Sequence, residues 1–385
     1  MISQLPDHLI CQILYHLPTE NAVRTSLLST RWTSLWKSVP GLDLDSCRFS
    51  NFKALASVSD RFFDFQRESR IHKFRLMIHT LDYVSEAHCV TLWIDAALTS
   101  YSVQHLEVRF QYNYQTERVE MPLSLYICER LVHLRLYGAK LFNAEFVSLP
   151  CLKIMQLEHV SCPNEATLEK LISSSPVLED LKLLRIRCND NYMLSDNAEV
   201  LQVRSKTVKR IDINQCGQVV IDNAPLLQFL RIHLSKSFRI LCSGFSAKVD
   251  LNISYFDPFD PCDLPGRSVI HDILTDIWRV SDLVISNRSC EVWYCYFDMM
   301  YSEERDQISY SSVPECLKSS LEFVDIKTRI SEDATEMKLV RYFLDNSAIL
   351  KKLTLRLHSH PKKDDIFKEL LGIPKRSITC QVVVV

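Results

Sequence analysis

LVHLRLYGAKLFNAEFVSLPCLKIMQL, residues 131–157, contains one short unit twice. The unit is an apolar residue, two further residues, a second apolar residue, one residue and a third apolar residue. Its apolar positions are Leu131, Leu134 and Leu136 in the first copy and Leu152, Met155 and Leu157 in the second. Such a short alternation is typical of a β-strand with one buried face. A proline at position 150 marks the turn into the second copy, so the stretch predicts two similar strands.

The same unit recurs along most of the chain. It reads VQHLEV from Val103, LVHLRL from Leu131, CLKIMQL around Leu152, VLEDLKL from Val177, VKRIDI from Val208, LQFLRI from Leu227, SDLVI up to Ile285, LEFVDI from Leu321 and LKKLTL from Leu350. A single short strand cannot bury its apolar face alone. Neighbouring copies are therefore expected to stack into a solenoid with a parallel sheet.

The first forty residues carry a helical period instead. Apolar residues after Pro6 cover one broad helical face, namely Leu9, Ile10, Ile13, Leu14 and Leu17. Pro18 ends this helix, and Thr19 is expected to cap a second one. Ser29 or Thr30 can cap a third. We predict three short helices in a unit too small to make a sufficient core alone.

The surplus of apolar residues in this unit has two explanations. It can cap the domain that follows, or it can form a docking surface for helices of a partner, with aromatic anchors. Physical reasoning from the residues leaves these two alternatives equally weighted.

The opening stretch resembles the F-box of plant proteins. The pattern LPD-x-LI-x-x-IL-x-x-LPT, followed by AVRTS-x-LS-x-RW-x-x-LW, matches residues 5–36 without a gap, and the resemblance extends over residues 1–47. In that family the module binds the Skp-type adaptor of a Skp–cullin–F-box ubiquitin ligase. The resemblance implies docking by Leu5, Pro6, Leu9, Ile13, Leu14, Leu17, Pro18, Val23, Leu27, Trp32, Leu35 and Trp36, with some of these forming the core of the unit. Family members usually have a short extension before the pattern, so the first turn is expected to fray here.

The repeating strands resemble irregular leucine-rich repeats of plant F-box proteins. The asparagine or cysteine expected three residues after the last leucine is mostly missing, and Cys216 is the one clear match. PNEATLEKLISSSP, from Pro163, is expected to form a helix on the opposite side of the solenoid. FKALASVSDRFFDFQ and CVTLWIDAAL, within residues 48–99, are expected to be helices that link the first module to the solenoid and cover its end.

The last eighty residues predict a strand, helix, strand, helix, strand order. Residues 336–344 form the first of these helices, and the β-prone terminus QVVVV is expected to pair with the sheet. The region resembles the FBD domain of plant F-box proteins over residues 312–384. Matching residues are Val313, Pro314, Cys316, Leu317, Ser320, Leu321, Leu339, Val340, Phe343, Leu344, Asn346, Leu350, Lys351, Lys352, Pro374, Ser377, Cys380 and Gln381. The segment after Val324, DIKTRISED, departs from the glycines and tryptophan often found in the family.

These patterns together predict an α/β protein. A three-helix F-box at residues 1–47 precedes a helical linker and solenoid cap at 48–99. Irregular leucine-rich repeats follow at 100–310, with parallel strands on one side and helices on the other. An α+β FBD region at 311–385 caps the solenoid.

Composition excludes several function classes. The 385 residues carry a net charge of −2 with a pI near 6.6, so bulk attraction to nucleic acid or to an anionic membrane is not expected. Fourteen cysteines without a CxxC pair, and no signal peptide, indicate reduced, mostly buried thiols in the cytoplasm or nucleus. No run of eighteen apolar residues predicts a membrane span. Phosphate-binding glycine motifs are missing, and no cofactor or metal is expected.

A catalytic constellation is not evident either. The chain has no G-x-S-x-G, HExxH or kinase motifs. His79, His88 and His105 can be combined with Asp82 or Cys89 into a site, but scattered histidines are more often structural. FDPFDPCDLPG, at 256–266, is a loop that either connects elements or contacts a ligand, and the first is favoured.

The leading hypothesis is therefore a non-catalytic substrate receptor. The F-box would dock the adaptor, which joins cullin and RING subunits, and the repeats would hold an unidentified protein substrate. A second hypothesis is a leucine-rich-repeat interaction scaffold with a degenerate F-box and no ligase. A hydrolase with an unrecognised triad is the least favoured alternative.

Overall fold

The computed structural model describes most of the chain, with gaps. The described residues are 4–64, 71–81, 84–101, 103–111, 118–188, 200–214, 219–222, 224–233, 248–252, 269–277, 279–286, 313–328, 334–357, 370 and 372–385. Two compact units divide the chain, Met1–Asn197 and Ala198–Val385. The predictions for Cys216, for Asp82 and for the 256–266 loop lie outside the described residues.

Eight α-helices are present in the described residues. They are α1 (Asp7–Tyr15), α2 (Thr19–Arg24), α3 (Phe52–Asp64), α4 (Val84–Ser100), α5 (Glu165–Ser173), α6 (Val269–Asp276), α7 (Glu315–Ser319) and α8 (Ala334–Asn346). Short 3-10 segments lie at Thr25–Leu27, Thr30–Thr33, Leu35–Ser38, Ser46–Arg48 and Leu123–Ile127.

Seventeen strands accompany them in the same residues. They are β1 (Gly41–Asp45), β2 (Lys73–Ile78), β3 (His105–Phe110), β4 (His133–Tyr137), β5 (Ile154–Glu158), β6 (Ser161–Cys162), β7 (Asp180–Leu184), β8 (Arg187–Cys188), β9 (Leu201–Arg204), β10 (Arg210–Asn214), β11 (Val219–Asp222), β12 (Phe229–His233), β13 (Lys248–Asn252), β14 (Asp282–Ser286), β15 (Phe323–Thr328), β16 (Lys352–Leu357) and β17 (Gln381–Val384). All nine strands predicted from the repeating unit are present.

The first unit contains a parallel sheet in the order β1-β2-β3-β4-β5-β7. Its register places the apolar residues of successive strands side by side. One buried row is Leu42, Phe74, Leu106, Leu134, Met155 and Leu181, each at most 1% exposed. The residues between them point to the opposite face, since side chains alternate along a strand. The alternation in the sequence therefore becomes an apolar core on one face and a polar row on the other.

The second unit repeats this construction in the order β10-β12-β13-β14-β15-β16-β17. The predicted pairing of the C-terminal QVVVV is confirmed, because β17 lies parallel to β16 with Lys352 opposite Gln381. Two smaller parallel pairs, β6 with β8 in the first unit and β9 with β11 in the second, were not predicted.

The repeat begins earlier in the chain than the first predicted copy at Val103. Val39, Leu42 and Leu44 form the unit at β1, and Ile71, Phe74 and Leu76 form it at β2; all six are buried. Both copies lie beside helical segments. The apolar residues of those segments, at helical spacing, make the strand unit hard to recognise in the sequence. The strand β13 was also missed. Its apolar residue Val249 is separated by three residues instead of two from Phe245, the preceding large apolar residue.

Helices connect several of the successive parallel strands, including β1 to β2, β2 to β3 and β5 to β7. The predicted helices at FKALASVSDRFFDFQ and CVTLWIDAAL are α3 and α4, which are linked where Trp93 Nε1–H donates to Asp60 Oδ1 at 2.9 Å. The predicted helix from Pro163 is α5. It begins because Asn164 Oδ1 accepts from the Thr167 N–H at 3.0 Å, and it buries Leu168, Leu171 and Ile172.

The C-terminal order agrees with the prediction for its three strands and its first helix. β15, α8, β16 and β17 follow one another, and α8 spans the predicted residues 336–344. The structure adds α7 ahead of β15. Most of the segment between β16 and β17, where the second predicted helix would lie, is outside the described residues. No helix among the described residues combines the length and hydropathy of a membrane crossing.

Candidate functional site

The N-terminal helical unit has a core of its own. Its buried members are Ile10, Leu14, Ala22, Trp32, Leu35 and Val39, with Leu5, Cys11, Tyr15 and Trp36 packed partly against them. The third predicted helix is not an α-helix but two 3-10 segments, Thr30–Thr33 and Leu35–Ser38. Ser29 makes no side-chain cap; its carbonyl accepts from the Trp32 N–H at 3.0 Å.

Hydrogen bonds tie this unit together and to the sheet. Arg31 Nε–H donates to Asp7 Oδ1 at 3.0 Å, and Arg31 Nη2–H donates to the Leu5 carbonyl at 2.5 Å, so the start of α1 is bound to the third helical segment. The predicted capping role of Thr19 is wrong. Its Oγ1 instead accepts from the Asp43 N–H at 2.8 Å, which joins α2 to β1.

The residues predicted to dock an adaptor divide by exposure. Leu14, Trp32 and Leu35 are buried in the core, and Leu5, Leu9, Pro18, Val23 and Trp36 are half-buried. The exposed members are Pro6, Ile13, Leu17 and Leu27. The first group stabilises the unit, and only the others can contact a partner.

Leu28 is an exposed apolar residue that matches the F-box pattern but was not among the predicted docking residues. It is 70% exposed, and its neighbour Leu27 is 87% exposed. Both are presented by the 3-10 segment that follows α2, so neither continues the helical face of α2. Two adjacent leucines immediately after a helix were the signal that could have found this pair. They provide the most exposed apolar surface of the helical unit.

The outer face of the first sheet carries alternating charges across its strands. In register, the row reads Asp43, Arg75, Glu107, Arg135, Gln156 and Lys182. Arg75 lies 3.3 Å from Asp43 and 3.8 Å from Glu107, and Glu107 also accepts from Arg109 Nε at 2.9 Å. This face is polar and offers hydrogen-bonding groups of both signs.

The outer face of the second sheet has a similar row. Asp250, 7% exposed, accepts from Arg231 Nε at 3.0 Å and from Ser286 Oγ at 3.1 Å. Further along, Arg356 Nε donates to Asp325 Oδ1 at 3.1 Å. Both sheets therefore present a line of charged side chains that no sequence motif had marked.

A cavity of about 250 Å³ opens on the outer face of the first sheet. Its lining comes from α1, β2, β3 and β4, namely Tyr15, Lys73, His105, Leu106, Glu107, His133 and Arg135. The His105 and His133 rings meet edge to face, with centroids 4.2 Å apart. Burial, followed by the nearby His133 and Lys73 charges, lowers the pKa of His105; burial and then Arg135 lower the pKa of His133.

The histidines considered for catalysis do not form one site. His79 follows β2, where Nε2 lies 3.2 Å from Asp45 Oδ1 and Nδ1 lies 2.7 Å from Gln111 Oε1. Cys47 lies close to these groups. His88 is in α4 and His105 is in β3. Both ring nitrogens of His79 have partners, so this cluster is accounted for by its own hydrogen bonds.

The described cysteines are free thiols with varied exposure. Cys128, Cys162, Cys316 and Cys380 are buried, whereas Cys47 and Cys151 are exposed. Burial raises the pKa of Cys316 to about 12, and its Sγ–H donates to the Leu274 carbonyl at 3.0 Å. Mostly buried thiols were predicted, and only four of the nine described cysteines fit that description.

Three family models match the chain in order. An F-box domain matches residues 2–43, the LRR repeats of FBD-associated F-box protein At5g56370 match 90–251, and FBD matches 307–355. F-box proteins are in general non-catalytic adaptors, and an F-box domain implies binding to a Skp-type adaptor.

Curated relatives from Arabidopsis thaliana cover the whole chain. The F-box/FBD/LRR-repeat protein At1g51370 is 43% identical over all of this chain and 95% of its own length. The putative FBD-associated F-box protein At5g53635 is 42% identical, with both chains fully covered. F-box/LRR-repeat protein 13 is 37% identical over all of this chain and 96% of its own length. The chain belongs to the F-box/FBD/LRR-repeat family.

Proposed function

We propose that this protein is the substrate receptor of a Skp–cullin–F-box type ubiquitin ligase. The helical unit docks the Skp-type adaptor, and the adaptor connects the chain to cullin and RING subunits. The observation that carries the proposal is the pairing of a self-contained helical core with exposed leucines beside it. A unit that needed these leucines only to cap the sheet would bury them.

Docking is assigned to the exposed and half-buried members of the predicted set, with Leu28 added. Leu27 and Leu28 are the anchors, because large exposed apolar side chains gain most from leaving water at an interface. Ile13 and Leu17 extend the apolar surface from α1. Leu14, Trp32 and Leu35 support docking indirectly by holding the unit in shape.

The outer faces of the two sheets are proposed to hold a protein substrate. Their rows of carboxylates and guanidinium groups offer directional hydrogen bonds, which give specificity and register more than affinity. The proposed organisation is an F-box at 1–47, a linking segment at 48–99 that also carries the early repeat copy at β2, repeats at 100–310 and an FBD region at 311–385.

The proposed receptor contributes proximity to the reaction. In ubiquitin transfer the amine of a substrate lysine attacks the thioester that holds ubiquitin on another subunit; an isopeptide bond to the ubiquitin C-terminus forms and the cysteine thiol leaves. The receptor raises the local concentration of that lysine. No general acid, base or nucleophile of this chain takes part.

Reconstitution tests the proposal. The full chain, a plant Skp-type adaptor, cullin, RING subunit, E1, E2 and ubiquitin are combined, and ubiquitin attached to the chain itself is followed by mass spectrometry. We expect modification that requires every component and that is lost in Leu27→Ala/Leu28→Ala. A chain that binds the adaptor but receives no ubiquitin, while a known receptor is modified in parallel, would favour the interaction scaffold instead.

A further inference from the structure

The cavity between α1 and the first strands contains two cations for which the described part of the chain supplies no ionic partner. Among the described residues, neither Lys73 nor Arg135 makes an ion pair or a side-chain hydrogen bond. Lys73 Nζ lies over the Tyr15 ring, 5.7 Å from its centroid. The arginine is exposed and the lysine is half-buried. Elsewhere on this outer face the described acidic and basic side chains form ion pairs. The cavity is therefore where the described part of the outer face has positive charge that is not paired.

The acidic residue of the cavity does not neutralise these cations. Glu107 accepts from Arg109 Nε at 2.9 Å and lies 3.8 Å from Arg75 Nε, so its charge is shared with two guanidinium groups outside the lining. With neutral imidazoles, the lining carries two positive charges and one negative charge. The net charge of one fits a singly charged anion better than a phosphate dianion, which the Glu107 carboxylate would also repel.

The two imidazoles complete a site for an oxyanion. His105 and His133 lie side by side on neighbouring strands, in register with Lys73 on β2, and Arg135 follows His133 by two residues on β4. A neutral imidazole offers one N–H donor, and charge-assisted hydrogen bonds to a carboxylate are stronger than neutral ones. Tyr15 closes the cavity from the side of α1.

We propose that this cavity binds the carboxylate of an Asp or Glu side chain in an extended segment of a protein partner. Lys73 and Arg135 supply the charge, His105 and His133 supply N–H donors, and the volume accommodates a single side chain. This assignment rests on the proposed role of the outer face in holding a substrate. It adds the requirement that the substrate segment bound by the outer face contains an Asp or Glu residue.

A peptide experiment tests the inference without the adaptor. Random 12-residue peptides on beads carry Glu, Gln, Lys or phosphoserine at a fixed central position, and labelled full-length chain is captured at low salt. We expect about tenfold more capture on Glu beads than on Gln beads, since hydrogen bonds to a charged carboxylate are stronger than those to a neutral amide. The preference is expected to disappear in Lys73→Gln/Arg135→Gln.

Matched variants separate the cavity from general charge. Lys140→Gln/Lys318→Gln removes two half-exposed lysines outside the cavity and should leave the Glu preference unchanged. Lys73→Arg/Arg135→Lys keeps the charges and should retain most of the Glu preference. It therefore shows whether a loss in Lys73→Gln/Arg135→Gln comes from the lost charges or from misfolding.

Three results would overturn the inference: equal capture on Glu and Gln beads, a Glu preference that survives Lys73→Gln/Arg135→Gln, or a preference for phosphoserine over Glu. The last would assign the cavity to a phosphorylated side chain. Because the assay omits the adaptor, failure here with intact adaptor binding would leave the receptor role standing. Failure of adaptor binding with intact Glu capture would overturn the receptor role alone.

Discussion

Leu14 and Leu27 show how two similar residues of one motif differ in role. Leu14 is fully buried in the helical core, whereas Leu27 is 87% exposed. Truncation of a buried leucine typically costs about 2–5 kcal/mol of stability, and truncation at an exposed site costs about 0.5 kcal/mol or less. Loss of adaptor binding in a Leu14 variant would therefore report unfolding, and only the exposed leucines test docking.

Gly138 is a single position at which the turn after β4 depends on glycine. Its φ is +73°, and a Cβ there would lie 2.5 Å from the Phe110 carbonyl oxygen. Gly138→Ala is expected to lower the free energy of unfolding by more than about 1 kcal/mol, measured by urea denaturation. Gly41→Ala is the comparison, because its φ is not positive and its nearest neighbour would be a side-chain atom of Tyr15 at 3.0 Å rather than a backbone oxygen. Equal losses in both variants would contradict this account.

Asp250 is the most buried carboxylate of the two outer rows, and the ion pair it makes with Arg231 is expected to matter. Asp250→Ala removes the acceptor of Ser286 and the nearer carboxylate of the half-buried Arg231, which keeps, among the described residues, only Asp212 at 3.7 Å, and this is expected to cost about 2 kcal/mol of unfolding free energy. Asp325→Ala removes a carboxylate whose partner Arg356 is 48% exposed, and should cost less than about 1 kcal/mol. Denaturation of both variants measures the difference, and a reversed order would refute it.

At the scale of elements, the histidine pair of β3 and β4 makes stability depend on pH. The pKa of each imidazole is lowered in the folded chain, so the unfolded chain binds more protons below its ordinary value of 6.5. The groups that face the pair are Tyr15, His72, Lys73, Glu107, Arg135 and Lys153. The stabilising contribution is present above pH 6.5 and is lost as the pH falls through the lowered values.

Thermal unfolding at pH 7.5 and pH 5.5 checks this dependence. The melting temperature should fall on acidification, and the fall should be smaller in His105→Gln/His133→Gln. His88→Gln is the control, because His88 lies in α4 and does not line the cavity. An equal fall in the double variant and the wild type would show that the pair does not carry the effect.

At the scale of the whole molecule, the sequence predicts periodic features well. The nine alternating units all became strands, because alternation directly encodes which side chains face the core. The helices α3, α4, α5 and α8 were also predicted correctly, because apolar residues at helical spacing encode which side of a helix faces the core. The copies at β1 and β2 were missed although the unit is present, since neighbouring helical periods overlap it.

The candidate sites were less predictable because they depend on three-dimensional neighbours. The 3-10 segment Thr25–Leu27 interrupts the helical period after α2 and leaves Leu28 exposed, and no pattern in the sequence marks that change. The cavity gathers residues from four elements that are far apart in sequence. Nothing in the sequence distinguishes Lys73 and Arg135 from ordinary surface charges, whereas in the structure they line one cavity and make no ion pair with any described residue.

The affinity of the full chain for a plant Skp-type adaptor tests the central claim most directly. Isothermal titration of the wild type is compared with Leu27→Ala/Leu28→Ala and with the control Leu123→Ala/Ile127→Ala, which removes two exposed apolar residues from another 3-10 segment. We predict a one-to-one complex, at least about thirtyfold weaker binding in the first variant and unchanged binding in the control. A well-folded wild type that shows no binding would contradict the receptor role.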